Sequence, residues 1–310
     1  MVIIMALDKI VVVTKKTVLE ELLLEHATTS EARFYLESRG KNFDNYLNSH
    51  QEYVATVSET IKNLPQEYRK QIIDKSLLST YQFDDHDIIV VVGDPGLFVN
   101  TAKYSKLQPI ITINGEPKNY ENIFSTCISK QLGKTVDKVA KGVAKIEELT
   151  MAQAVLDDGQ TLLALNDLFI GKKTHVSARY SLSQNNITEA QSSSGIVVST
   201  GSGSTAWMRS IIVGAYGILG RGNIEKANAE IFERNSNYLR YFVREPFPTK
   251  ITSCNMITGY VDLEHPLNIV SNMAEDGVIF SDGIEKDYIS FNAGASVKIM
   301  PAKNKVQLVR

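Results

Sequence analysis

Residues 195–210 read GIVVSTGSGSTAWMRS. An apolar run, Ile196 to Val198, breaks into a loop of glycines and hydroxyl residues, and Ala206 and Trp207 then open a helical pattern. Gly201 and Gly203 let backbone N–H groups approach an anion or a ribose closely, and Ser202, Ser204 and Thr205 offer hydroxyls. The stretch is a candidate ligand loop between a strand and a helix. The same residue types also make ordinary turns and helix caps, so the loop alone does not name a ligand.

Outward from this loop, the first third of the chain has the alternation of a doubly wound α/β domain. Residues 9–14 form a β-branched strand that runs into Lys15 and Lys16 before a helix from Val18. Lysines at such a loop lie at the carboxyl edge of the sheet, where ligands bind, although a lysine pair is more commonly just solvated. Residues 30–64 carry apolar positions at helical spacings with a break at Gly40, a helical excursion between strands. Residues 87–92, DIIVVV, show no alternation, as in a strand buried on both faces. Gly93, Asp94, Pro95 and Gly96 follow, with Asp94 suited to a helix N-cap and Pro95 to the first helical turn. Another strand is expected at 108–113, then a helix over 122–132.

Beyond that point the periodicity changes. Strand character is read at 136–146 and 161–170, with Asp157, Asp158 and Gly159 as a hairpin signal. Short strands spaced by turn residues then continue to the carboxyl terminus, interrupted by helices expected at 206–219 and near 224–234. The division expected is an α/β domain over 1–125, with a Rossmann-like parallel sheet, and a β-rich, sandwich-like domain over 126–310.

Composition narrows the function. The 310 residues are 43% hydrophobic and 22% charged, with a formal net charge of −2, so nothing pulls the whole molecule toward nucleic acid or anionic membranes. The leading residues are apolar but lack a basic n-region and a cleavage site, and no stretch has the length of a membrane span. The two cysteines, Cys127 and Cys254, and the five histidines have no metal-ligand spacing; no metal site is expected, and a reducing, cytoplasmic setting fits. No GxxxxGKS/T phosphate loop occurs.

STGSGSTAW resembles the S-T-P-T-G-S-T-A-Y signature of NAD kinases, with Gly201 in place of the proline and Trp207 in place of the tyrosine. Three further stretches follow the order of that family: VVGDPGLF resembles its G-G-D-G-T segment, ALNDLFIG its A-L-N-E segment, and SDGIEKDYISFNAGASVKI its late D-G segment. The helical excursion, QSSSG at 191–195 and FVREPF at 242–247 are most similar to the mitochondrial type. The resemblance implies an NAD kinase-like fold, and transfer of a phosphoryl group from ATP or polyphosphate, with Mg²⁺, to the adenosine ribose 2′-hydroxyl of NAD. It implies Asp94 as catalytic carboxylate, with Gly93, Gly96, Asn166, Asp167, Thr205, Ala206, Trp207 and Ser210 binding nucleotide. It also implies a homodimer or homotetramer.

The departures point to an alternative. Pro95 removes an N–H where the family's loop donates to phosphate, and Gly96 lacks the threonine hydroxyl. A dinucleotide-binding or sensor protein that has lost phosphoryl transfer would carry such changes. Lipid kinases share a G-G-D-G-T segment and form a third reading, but the ALND and STGSGSTAW stretches have no place in it.

Overall fold

A computed structural model describes residues 7–26, 28–220 and 224–310. The leading residues 1–6 of the apolar amino-terminal run lie outside them. The chain opens with β1 (Lys9–Thr14), α1 (Val18–Glu25), α2 (Thr29–Glu37), α3 (Phe43–Lys62), β2 (Arg69–Asp74), β3 (Asp87–Gly93), α4 (Pro95–Ala102), β4 (Pro109–Asn114), α5 (Leu132–Ala140) and β5 (Ile146–Leu149). Next come β6 (Ala152–Leu156), β7 (Thr161–Ala164), β8 (Asp167–Lys172), β9 (Ala178–Gln184), β10 (Ile187–Ser193), β11 (Ile196–Ser199), α6 (Trp207–Ile218) and α7 (Ile224–Asn228). The chain closes with β12 (Leu239–Val243), β13 (Thr258–Val261), β14 (Leu267–Ser271), β15 (Gly277–Ser281), β16 (Ile284–Ser290), β17 (Ser296–Pro301) and β18 (Val306–Val309).

The molecule divides into two units, Met1–Glu147 with Val306–Arg310, and Glu148–Lys305. This division differs from the one read in the sequence at 125/126, for two physical reasons. Leu132, Val136 and Val139 recur at helical spacing, and α5 packs them with Val90, Val92 and Ile113 of the first unit. The carboxyl-terminal KVQLVR returns as β18 beside β4, where Leu308 and Val309 are buried.

The sheet of the first unit has the order β2–β1–β3–β4–β18–β5. The pairs β1/β2, β1/β3, β3/β4 and β4/β18 are parallel. Every residue of β3 is buried, which is why DIIVVV carries no alternation. By contrast β2 is an edge strand with Ile73 as its buried residue, so RKQIID offered no apolar pattern to read. Two expectations are corrected here. Residues 122–128 form a loop in which Thr126 N–H donates to the Thr112 carbonyl at 2.8 Å, and most of 136–146 is helix and loop because its Val residues face the sheet at helical spacing.

The second unit has two six-stranded sheets, β10–β9–β14–β17–β6–β7 and β13–β12–β11–β8–β15–β16. The pairings within both are antiparallel. Alternate residues of both sheets, among them Tyr180, Leu182 and Ile269 from one and Ile170, Val198 and Ile279 from the other, share one apolar core. The 157–159 hairpin is present, with Gly159 at φ 88°. Among the described residues no helix is long and apolar enough to cross a membrane.

Candidate functional site

In the first unit, the site residues gather where β3 ends. Asp94 caps α4: its Oδ1 accepts from the Leu97 N–H at 2.8 Å, with Pro95 in the first turn. Its Oδ2 is ion-paired with the Lys15 ammonium. Lys15, from the loop after β1, is therefore not a merely solvated lysine. Burial alone raises the Asp94 carboxyl, but Lys15 and the Leu97 N–H outweigh it and hold the group below its ordinary range. Asp94 is accordingly a fixed anion at neutral pH.

Tyr53 of α3 braces this edge. Its hydroxyl accepts from the Lys15 N–H at 2.9 Å and donates to the Val92 carbonyl at 3.0 Å. A Cβ on Gly115 would stand 2.7 Å from the Tyr53 ring, so Gly115 admits the tyrosine. Asn122 donates from Nδ2 to the Gly93 carbonyl at 3.1 Å. Gly93 is buried, and Gly96 is exposed. The helix terminus offers little to an anion: Pro95 has no N–H, and the Leu97 and Phe98 N–H groups both turn to the Asp94 carbonyl.

In the second unit, the glycine-rich loop serves a different purpose from close ligand approach. A Cβ on Gly203 would lie 2.1 Å from the Asn166 carbonyl oxygen, and one on Gly201 would lie 2.0 Å from the Glu233 carbonyl oxygen. Both glycines allow backbone to meet backbone. Thr200 N–H donates to the Asn166 carbonyl at 2.9 Å, and the Ser204 hydroxyl donates to the Gly201 carbonyl at 2.7 Å. The Ser202 hydroxyl is buried and has no hydrogen-bond partner among the described residues. Thus the structure brings the 200–204 loop and the ALND turn together.

That turn rests on Asp282. Asp282 Oδ1 accepts from the Asn166 N–H at 2.7 Å and the Asp167 N–H at 3.3 Å, and Oδ2 accepts from Leu165 N–H at 3.2 Å. Asp167 is buried, and burial first, then the Asp282 charge, pushes its carboxyl up to about 7.

Thr205, Ala206 and Ser210 are exposed at the start of α6, and Ser210 Oγ points back to the Ala206 carbonyl at 3.4 Å. Trp207 is half-buried and stacks on Phe169 at 5.6 Å between centroids, with Phe169 stacked in turn on Phe280 at 4.8 Å. The Arg244 guanidinium lies 5.3 Å from the Trp207 ring. These groups line a cavity of about 450 Å³ together with Lys172, Lys173, Ser194 and Tyr288. Packing and lining are both true of Trp207. Tyr53, Asn122 and Phe169 carry no local sequence signal for the site, because their roles depend on tertiary contacts.

Nearly all of the chain is covered by matches to solved structures. The NAD kinase from Archaeoglobus fulgidus in complex with ATP matches with a TM-score of 0.58 at 15% identity, covering 97% of this chain and 93% of the other. The yeast NADH kinase complexed with NADH matches with a TM-score of 0.58 at 14% identity, covering 98% and 83%. The chain has the NAD kinase fold. The NAD kinase of Chlorobaculum tepidum is 25% identical over 127 residues, 40% of this chain and 44% of that protein, so the match spans less than half of the relative's length. No family model matches. The resemblance to NAD kinases read from the motifs is thus borne out by independent comparisons of sequence and fold. Within the NAD kinase fold, the motif residues fall into the two clusters just described.

Proposed function

We propose that this protein is a kinase of NAD, transferring a phosphoryl group from ATP or polyphosphate to the adenosine ribose 2′-hydroxyl of NAD to form NADP. The observation that carries the reading is Asp94, an anion held at the carboxyl end of the central parallel strand by Lys15 and a helix cap. Phosphoryl transfer needs positioning and charge stabilisation more than covalent chemistry. Asp94 accepts the hydrogen of the attacking hydroxyl and orients its oxygen toward the donor's terminal phosphorus; as that P–O bond forms, the bond to the leaving phosphate breaks. Its depressed pKa makes it an orienting acceptor more than a strong base.

The second unit supplies the dinucleotide contacts. Asn166 and Asp167 offer polar groups to ribose, Thr205, Ala206 and Ser210 are accessible at the start of α6, and Trp207 on Phe169 gives an aromatic face beside Arg244, Lys172 and Lys173. Among the described residues no three His, Cys, Asp or Glu side chains gather to hold a metal. Mg²⁺, which the family resemblance implies, would enter with the donor on its phosphate oxygens. We assign the protein to the cytoplasm, on the spacing of Cys127 and Cys254, and to a homodimeric or homotetrameric state, which rests on the family resemblance, as does its placement with the mitochondrial type.

One observation favours a second reading, a dinucleotide binder without transfer: Pro95 and the engaged N–H groups leave the first turn of α4 poor in donors for a phosphate. A coupled assay for NADP, with NAD, Mg²⁺ and either ATP or polyphosphate, separates the two. NADP formation with either donor supports the kinase; none with either donor, alongside calorimetric binding of NAD, supports the binder.

A further inference from the structure

The sequence alone presents Asp282 and Gly283 as a turn, and they are one: Asp282 at φ 56° and Gly283 at φ 72° join β15 to β16. The turn chemistry does not require what the Asp282 side chain does. Its carboxylate collects the three successive N–H groups of Leu165, Asn166 and Asp167, and its own N–H donates to the Asp167 carbonyl at 2.9 Å. Three consecutive backbone donors around one anion form a nest of the kind that otherwise binds phosphate, here filled from within the chain. The other side of the same turn is fixed as well, since the Asn166 carbonyl accepts from Thr200 and Gly203 packs against it.

We propose that Asp282 is a positioning residue for dinucleotide binding: its caged carboxylate fixes the 165–167 turn so that Asn166 and Asp167 are presented to the ligand in one geometry. The proposal rests on the reading of this site as one for NAD. It also has an electrostatic consequence. Ser199 of β11 pairs with Asp167, and Ser281 of β15 pairs with Leu168 beside it; burial first, and then the Asp282 charge, raises the Asp167 carboxyl. That like charge opposes ionisation of Asp167, whereas vicinal ribose hydroxyls, being donors, favour the ionised form. Asp282 thereby couples dinucleotide affinity to pH.

The test is calorimetric titration of the full chain with NAD between pH 5.5 and 8.5. Wild type should bind more tightly as pH rises through about 7. Asp282→Asn removes the charge and keeps the oxygen that accepts from Asn166 and Asp167, while giving up the acceptor for Leu165; its midpoint should move down by about one pH unit, with a smaller loss of affinity at high pH than Asp282→Ala shows. Asp282→Ala uncages the turn and should lose about tenfold or more in affinity at every pH. Near-UV circular dichroism checks that each variant is folded; if Asp282→Ala is not, the midpoint of Asp282→Asn decides. Asp167→Asn should flatten the profile. A flat wild-type profile, or variants that keep the wild-type midpoint and affinity, overturns the proposal while leaving the NAD site standing. Wild type that binds no NAD at any pH overturns the reading of the site and the proposal with it.

Discussion

Two aspartates, one in each unit, have been driven in opposite directions by their surroundings. Asp94 caps a helix and is paired with Lys15, and its carboxyl is held low. Asp167 is more deeply buried, faces another carboxylate, and is raised to about 7. The first is fixed as an anion; the second, under the proposal above, changes its charge when a ligand's hydroxyl donors reach it. A pair of carboxylates pushed apart in this way is how one protein separates a reacting role from a binding role. The glycines around them differ in the same manner. Gly96 is exposed, and a Cβ there would meet only the Asp94 Oδ1 at 3.1 Å, whereas Gly201 and Gly203 stand against backbone carbonyls.

The sharpest way to break the comparison is Asp94→Asn. It should lower turnover by about 100-fold or more, as expected for loss of a group acting on the transferred proton, with NAD affinity unchanged within about twofold. A fall in affinity with normal turnover would place Asp94 in binding instead. Gly203→Ala comes next. Its new methyl has no space beside the Asn166 carbonyl, so urea unfolding of the second unit should show a loss of about 3 kcal/mol, while Gly96→Ala stays near wild type.

The pH dependence of stability gives a smaller effect with opposite signs at the two sites. The folded pKa of Asp167 is raised above its unfolded value, so between about pH 4 and 7 the native state keeps a proton that the unfolded chain has released, and stability falls as pH rises. Asp167→Asn should therefore gain on wild type across that window and be more stable by at least about 1 kcal/mol at pH 8. For Asp94 the folded pKa is depressed; its contribution is present above the unfolded pKa and is lost as pH falls through the folded one, below about 4. Thermal melts of wild type and Asp167→Asn at pH 5 and pH 8 check this. The smallest effect is expected from Pro95→Gly, which restores a backbone N–H to the first turn of α4 and should tighten ATP binding by about threefold to tenfold, read by calorimetry.

Much of this architecture was legible in the residues. DIIVVV announced a central parallel strand because burial on both faces removes alternation, and Asp94–Pro95 announced a capped helix because both residues suit that position. Less visible were β2, an exposed edge strand, and α5, whose Val136 and Val139 mimic a strand in composition but not in spacing. The return of KVQLVR to the first sheet was beyond local reading, since a strand does not declare its partner. At the site, Lys15 and Asp282 were seen as residue types but not as partners of Asp94 and of the 165–167 turn, each separated from them by long stretches of chain.

The central claim is that a fixed Asp94 serves transfer and not binding alone. The most direct measurement is a single turnover of γ-labelled ATP with Mg²⁺ and excess NAD on the wild-type chain and on Asp94→Asn. The account predicts that label leaves ATP and appears in NADP with wild type, and stays in ATP with Asp94→Asn although both nucleotides are bound. Label that remains in ATP with wild type, on protein shown by calorimetry to have bound both nucleotides, or that leaves it equally with Asp94→Asn, would contradict it.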